Sequence, residues 1–146
     1  VTGPVLPSKD TLLAACRGFP QQVDHPVLTA AAELAVLHQT RERTPHYALA
    51  VIDAHRVRLM ESIDAWVLVS LPEPMSSARV HTQTMGQVID RIAQLTSYTY
   101  TVLAGSSDEV FADAAANVEE LAHGYEELAE ELVAGVRRLP VTTTEP

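Results

Sequence analysis

The chain is poor in the residues that most catalytic and binding motifs require. One cysteine among 146 residues, Cys16, rules out an internal disulfide and any multi-cysteine zinc site. The six glycines are scattered and form no phosphate-cradling loop, and no H-x-x-x-H or H-E-x-x-H spacing exists for a zinc hydrolase. Cations are scarce: Lys9 is the single lysine, and ten Lys+Arg face nineteen Asp+Glu, for a formal charge of −9. Nine of those acids fall between Asp108 and Glu131 with no Lys or Arg among them, and the rest of the chain balances to zero. Such a chain has no basic stripe to follow phosphates, so neither nucleic acid nor an anionic membrane surface is an expected partner. No apolar run reaches the roughly eighteen residues of a membrane span. Val1 to Asp10 carries no basic segment followed by an apolar one, so no signal peptide is read there and a cytoplasmic location is expected.

What is present is a core. Apolar residues make up 47% and charged residues 20%, which separates the chain from disordered sequences. Surface scaling at this length buries about two-thirds of the unfolded chain's area, enough for one hydrophobic core. The expectation is a single helical-bundle domain over residues 1–146, with flexible ends at 1–7 and 140–146.

The periodicity is helical throughout. Ser8 caps a short helix carrying Leu12, Leu13 and Cys16 and ending at Gly18. Asp24, two residues before Pro26, starts the next, with Val27, Ala31, Leu34 and His38 on one face and a stop near Arg43. Thr44-Pro45 opens a long helix to Ser70, its seam Leu49, Ile52, Leu59, Ile63, Trp66 and Val67, closed by Pro72 and Pro74. Met75 to Gln83 lacks periodicity and reads as a loop. Thr84 caps a helix through Val88, Ile92, Leu95 and Val102 to Gly105. Its Leu95–Leu103 stretch has strand-like propensity, but the helical seam continues through it. Ser107 caps the last helix, about Asp108 to Arg138, along a stripe from Phe111 through Val118, Leu121, Tyr125, Leu128 and Leu132 to Val136. Gly124 and Gly135 weaken that helix by roughly 1 kcal/mol each relative to Ala. Four long helices plus a short N-terminal one predict an all-α antiparallel bundle.

Few constellations could carry chemistry. Glu120-x-x-His123 has di-iron spacing, but it occurs once and lies off the apolar stripe, so it should face solvent. Glu126, Glu127, Glu130 and Glu131, with Asp53, Glu61 and Asp64, could form two acidic clusters of the kind that hold magnesium. Cys16 on a short apolar helix reads as a core residue. Two residues interrupt the apolar seams. His38 falls on the Val27-Ala31-Leu34 face, and Arg56 falls between Ile52 and Leu59 with Asp53 one turn before it. A buried Arg must be paired, and Asp53, Asp64 and Asp90 are the candidate partners. The set is either an ion pair fixing helix register or a polar pocket for a small anion.

The segment Leu49–Leu95 resembles an uncharacterised bacterial helical family, domain of unknown function number four thousand two hundred fifty-four. Its pattern Ile-Asp-x-Leu-Asn-x-x-Arg followed by Ile-Glu-x-Ile-Asp-x-Trp corresponds to Leu49–Arg56 and to Met60-Glu61-Ser62-Ile63-Asp64-Ala65-Trp66. The later pattern Asn-Ser-Glu-Thr-Pro-Gly-x-Ile-Ile-Asp-Arg-Leu corresponds to His81–Ile92, with matches at Thr84, Gly86, Ile89, Asp90 and Arg91. The final helix, with Gly135 and Arg137, is also similar. Where the family carries Trp-His-x-Glu-Asp, this chain reads Arg-Glu-Arg-Thr-Pro-His-Tyr over 41–47. The resemblance implies a helical fold and no established activity, and it marks Arg56, Glu61, Asp64, Asp90 and Arg91 as a polar set.

With no complete catalytic set, the reading leans away from an enzyme and calls for no cofactor. The first expectation is a non-enzymatic interaction or assembly protein that self-associates as a homodimer, with a further protein partner open. The like-charge pairs Glu126/Glu130 and Glu127/Glu131 suggest how: either the last helix completes a monomer core, or it lies at a dimer interface facing Arg41, Arg43, Arg58 or Arg79 of a partner. The second is a binder of small anions or phosphorylated metabolites, or an enzyme, with a pocket built from Arg56, Glu61, Asp64, Asp90, Arg91 and His38. The third is a metal-binding bundle.

Overall fold

A computed structural model describes residues 5–141, and among them the fold is all-α. The helices are α1 (Lys9–Cys16), α2 (Pro26–Glu42), α3 (Leu49–Ser70), α4 (Met85–Gly105) and α5 (Asp108–Ala134). A single 3-10 turn, His46–Ala48, leads into α3, so the helix expected from Pro45 begins four residues later. Two two-residue strands, β1 (Arg79–Val80) and β2 (Arg137–Arg138), pair in parallel.

The helix starts follow from local chemistry. Ser8, Thr84 and Ser107 each accept a backbone N–H of the first turn, as their sequence positions predict, and at Thr84 the Gln87 side chain completes a capping box. The start of α2 differs from expectation. His25, not Asp24, is the cap: its ring nitrogen accepts the Val27 N–H, and Pro26 occupies the first helical position, where no N–H is needed. The end of α5 also differs. The expected helix to Arg138 stops at Ala134 because Gly135 takes a left-handed conformation at φ 78°, and the Val136 N–H turns back to the Glu131 carbonyl. Gly135 is therefore a terminator and not a weak point inside the helix. The chain beyond it ties down the loop before α4. Met75 donates to the Gly135 carbonyl, His81 to the Arg138 carbonyl, and the Arg138 guanidinium reaches the carbonyls of Met75 and Ala78.

α2 and α3 run in opposite directions: Arg41 near the end of α2 meets Asp53 near the start of α3, while the ring of His25 packs tilted, at 4.7 Å, against that of Trp66 at the other end. α2 and α4 form the middle of the assembly. α3 packs on both, α5 packs on α4 and α1, and α3 and α5 do not touch among the described residues. The core gathers Leu12, Leu13, Val27, Leu34, Ile63, Met85, Ile89, Ile92 and Tyr125, all essentially sealed from solvent. Tyr125 carries its hydroxyl into this core and satisfies it by donating to the Pro7 carbonyl at 2.6 Å. Leu6 is buried, and the Val5 carbonyl meets the His25 ring. The remainder of the two ends, 1–4 and 142–146, lies outside the described residues.

The predicted seam of α3 is only partly enclosed. Ile63 and Val67 are buried, whereas Leu49, Ile52, Leu59 and Trp66 keep some exposure. The other side of the same helix, at Val51, Ala54, Arg58, Glu61, Ala65 and Leu68, is exposed.

Candidate functional site

The polar residues that interrupt the apolar seams meet where α2, α3 and α4 pack together. His38 on α2 is 5% exposed and Asp90 on α4 is 9% exposed, so both are interior groups that need partners. They find each other: His38 Nε2 lies 2.8 Å from Asp90 Oδ1. Arg56 on α3 completes the centre, its Nη2 donating to Asp90 Oδ2 at 2.7 Å and its Nε to Oδ1 at 3.3 Å. The fork-on-carboxylate geometry places two N–H donors on one anion, the arrangement in which a guanidinium binds most strongly.

The network continues outward. Arg56 Nη1 donates to Asp53 Oδ1 at 2.9 Å, and Arg41 clamps the same carboxylate through Nε at 2.8 Å and Nη2 at 3.0 Å. The chain of groups is thus His38, Asp90, Arg56, Asp53, Arg41, with burial falling from the interior to the half-exposed rim. Burial pushes the Asp90 carboxyl up, but the hydrogen bonds from His38 and Arg56 outweigh it and hold it below the usual range. At the rim the Arg41 guanidinium, helped by Arg56, lowers Asp53 to about 2. The Arg56 guanidinium is in turn held more firmly protonated, chiefly by Asp90.

Asp64 belongs to a separate contact. Its Oδ1 accepts the Gly86 N–H at 2.7 Å, capping the first turn of α4 from across the helix pair. Gly86 sits there because α3 and α4 approach backbone to backbone: a Cβ at this position would overlap the Met60 carbonyl. Burial raises the Asp64 carboxyl above its ordinary value, against the lowering effect of the Gly86 N–H.

Of the six residues singled out from sequence, the structure brings together His38, Arg56 and Asp90. Asp64 stands apart as a helix cap, and Glu61 and Arg91 are exposed. Arg91 bonds only its neighbour Gln94, at 2.8 Å, and Glu61 lies on the outer side of α3. Arg41, expected only as a cation that could face the last helix of a partner, is instead held by Asp53 of its own chain. Nothing in its local sequence marks it, since its partner is twelve residues away on the next helix. His38, Arg41, Glu42, Arg91, Gln94, Leu95 and Tyr98 line a cleft of about 330 Å³ where the network reaches the surface. Glu120 and His123 are both exposed, and no group of three or more His, Cys, Asp or Glu among the described residues is placed to hold a metal ion. Cys16 is buried against α2, and burial pushes its thiol up to about 12, which makes it a poor nucleophile.

The acidic α5 is partly relieved within the chain. The Lys9 N–H donates to Glu126, Lys9 Nζ reaches Glu119 at 3.5 Å, and Arg137 reaches Glu131 at 3.4 Å. No helix of the described residues is long and apolar enough to cross a membrane.

A family model described as "Protein of unknown function (DUF4254)" matches residues 41–141. That span holds α3, α4, α5 and both strands, and it includes every member of the polar network except His38. No curated protein and no solved structure matches the chain.

Proposed function

The chain belongs to the DUF4254 family, and from that premise we propose that it is a non-enzymatic assembly protein, a one-domain cytoplasmic helical bundle that self-associates as a homodimer. The observation that carries this reading is the outer side of α3. Tyr47, just before it, is 88% exposed, and on the helix Val51 is 75%, Leu68 82% and Val69 81% exposed. Exposed apolar residues gathered on one helix face mark an association surface, where scattered ones would not. The interior charges favour the same reading, because the Asp90 carboxylate is bonded by His38 and Arg56 and the Asp53 carboxylate by Arg56 and Arg41. Their service is to fix how α2, α3 and α4 pack, the register role best attested for buried ion pairs.

Sedimentation velocity across the micromolar range is the test. A species of twice the chain mass that grows with concentration is expected. A monomer at every concentration, at low and high salt, would sink the proposal.

A second reading rests on the cleft beside the network. Arg41 and Arg91 line it together with His38 and Tyr98, the donor chemistry that recognises a phosphate or carboxylate. A small anionic metabolite bound there would raise the melting temperature of the unsubstituted protein and not that of Arg91→Ala. An equal response of the two proteins would remove this reading.

A further inference from the structure

The outer side of α3 is ordered in a way that specifies its own complement. Positions 47, 51, 54, 58, 61, 65, 68 and 69 recur at spacings of three and four, so they share one helix face. All are exposed. α3 packs on α2 and α4 through its other side and touches neither α1 nor α5, so nothing among the described residues covers this face. The face is apolar or small except at its centre, where Arg58 and Glu61 stand one turn apart. Neither makes an ion pair among the described residues.

The order of residues along the face is near-palindromic. The midpoint of α3 falls between Leu59 and Met60. Arg58 and Glu61 are equidistant from it, as are Ala54 and Ala65, Val51 and Leu68, and Ala50 and Val69. A second copy of the same helix, laid antiparallel about a two-fold axis through that midpoint, would place opposite charge on charge, small on small, and apolar on apolar. Closed two-fold symmetry demands this self-complementarity of a surface that binds its own copy.

We propose that two copies of the chain pair through the outer face of α3, antiparallel, with Arg58 of each against the partner's Glu61. This rests on the self-association reading above and adds the surface, the direction and the register. The alanines at 54 and 65 let the two helices approach, and Val51 and Leu68 fill the flanks. The arrangement also separates like charge. α5, with its run of acids, lies on the far side of α4 from α3, so the pairing keeps the two acidic flanks apart, whereas pairing through α5 would set them against each other.

Charge reversal and cross-linking test it together. Arg58 and Glu61 are both exposed, so substitution leaves the fold alone. Arg58→Glu, or Glu61→Arg, turns two attractions per dimer into two repulsions and should raise the dimer dissociation constant about tenfold. The double variant carrying both changes should restore it. Separately, Ala54→Cys mixed with Ala65→Cys should give a disulfide-linked dimer under mild oxidation, while either variant alone should not. In this register the two copies of residue 54 stand about 16 Å apart along the axis, beyond disulfide reach. The native Cys16 is buried and will not interfere. A dimer indifferent to both reversals and giving no mixed cross-link overturns this interface and leaves self-association standing. A dimer in which Ala54→Cys links to itself overturns the antiparallel register. An unsubstituted chain that stays monomeric overturns both readings.

Discussion

The two sides of α3 are made from the same twenty-two residues and solve opposite problems. On the inner side three of the polar groups, Asp53, Arg56 and Asp64, are each held by a partner from α2 or α4. On the outer side two charges and a row of apolar residues have no partner among the described residues. The inner side needs polar groups because helix packing there is set by direction: a fork of donors on Asp90 and one amide on Asp64 admit one register, where apolar contacts alone would admit several. The outer side needs none for folding, and its composition is legible only if something else covers it. A helix apolar on one side is core; one that is apolar on the second side as well carries more hydrophobic surface than its own bundle uses.

Removing the anion at the centre of the inner side should have the largest effect. Asp90→Ala leaves His38 and Arg56 facing an empty position in a nearly sealed site. Breaking a buried pair costs about 3–5 kcal/mol, and because Arg56 keeps Asp53, about 3 kcal/mol is expected, read from urea unfolding at neutral pH. A loss below about 1 kcal/mol would show that the network does not hold the helices in register. The acid side of the profile sharpens the test. A carboxyl depressed on folding contributes stability that is complete above its ordinary value of 3.8 and is lost as pH falls through the lower folded value. Wild type should therefore lose its advantage over Asp90→Ala below about pH 4. Asp64, raised on folding, works in the opposite sense and its contribution is lost as pH rises through its folded value. It is present in both proteins, so their difference isolates Asp90.

Gly86→Ala should come next. The added methyl meets the Met60 carbonyl, which is backbone and cannot swing aside, so α3 and α4 must separate and the Asp64 bond to the Gly86 N–H must lengthen. Overpacking of this kind costs about 2 kcal/mol. Gly124→Ala is the control, since nothing lies within 4 Å of a Cβ there and the helix interior gains roughly 1 kcal/mol from Ala. Equal responses at the two glycines would mean that no close approach exists at Gly86.

How much of this was legible beforehand follows the same division. The helices could be read because their caps and stops are local: Ser8, Thr84 and Ser107 each act on the amide three residues on, and Pro72 and Pro74 forbid continuation. The misreadings are also local rivals. His25 displaced Asp24 because its ring reaches the Val27 N–H, and Gly135 ended α5 because its backbone turned left-handed, a choice its residue type permits but does not announce. Within the site, His38 and Arg56 stood out as breaks in apolar seams, and Asp90 as a possible partner. Arg41 did not, because its pairing with Asp53 depends on how two helices cross. Asp64 and Gly86 each lay in a quoted family motif, yet only the packed pair shows that one caps the other's helix. The outer face of α3 is a second apolar row, Val51, Leu68 and Val69, which periodicity alone does not single out because one seam suffices for a bundle.

The smallest effect on folding should come from that outer row, and it is the one that separates the two sides most cleanly. Leu68→Ser with Val69→Ser removes exposed apolar surface and breaks no hydrogen bond, since neither side chain packs into the core. In dilute protein, where association is negligible, unfolding should shift by no more than about 0.5 kcal/mol. As protein concentration rises, an associating chain gains stability by mass action, so the melting temperature of the unsubstituted protein should climb while that of the double variant stays flat. Curves that run parallel across concentration would show that the outer face takes no part in assembly, and the inner network would then be the only side of α3 with a physical task. Curves already separated in dilute protein would show that Leu68 and Val69 support the monomer, against their exposure. Divergence that grows with concentration is the result the two-sided helix predicts, because the same double substitution then spares the fold and removes the contact between copies.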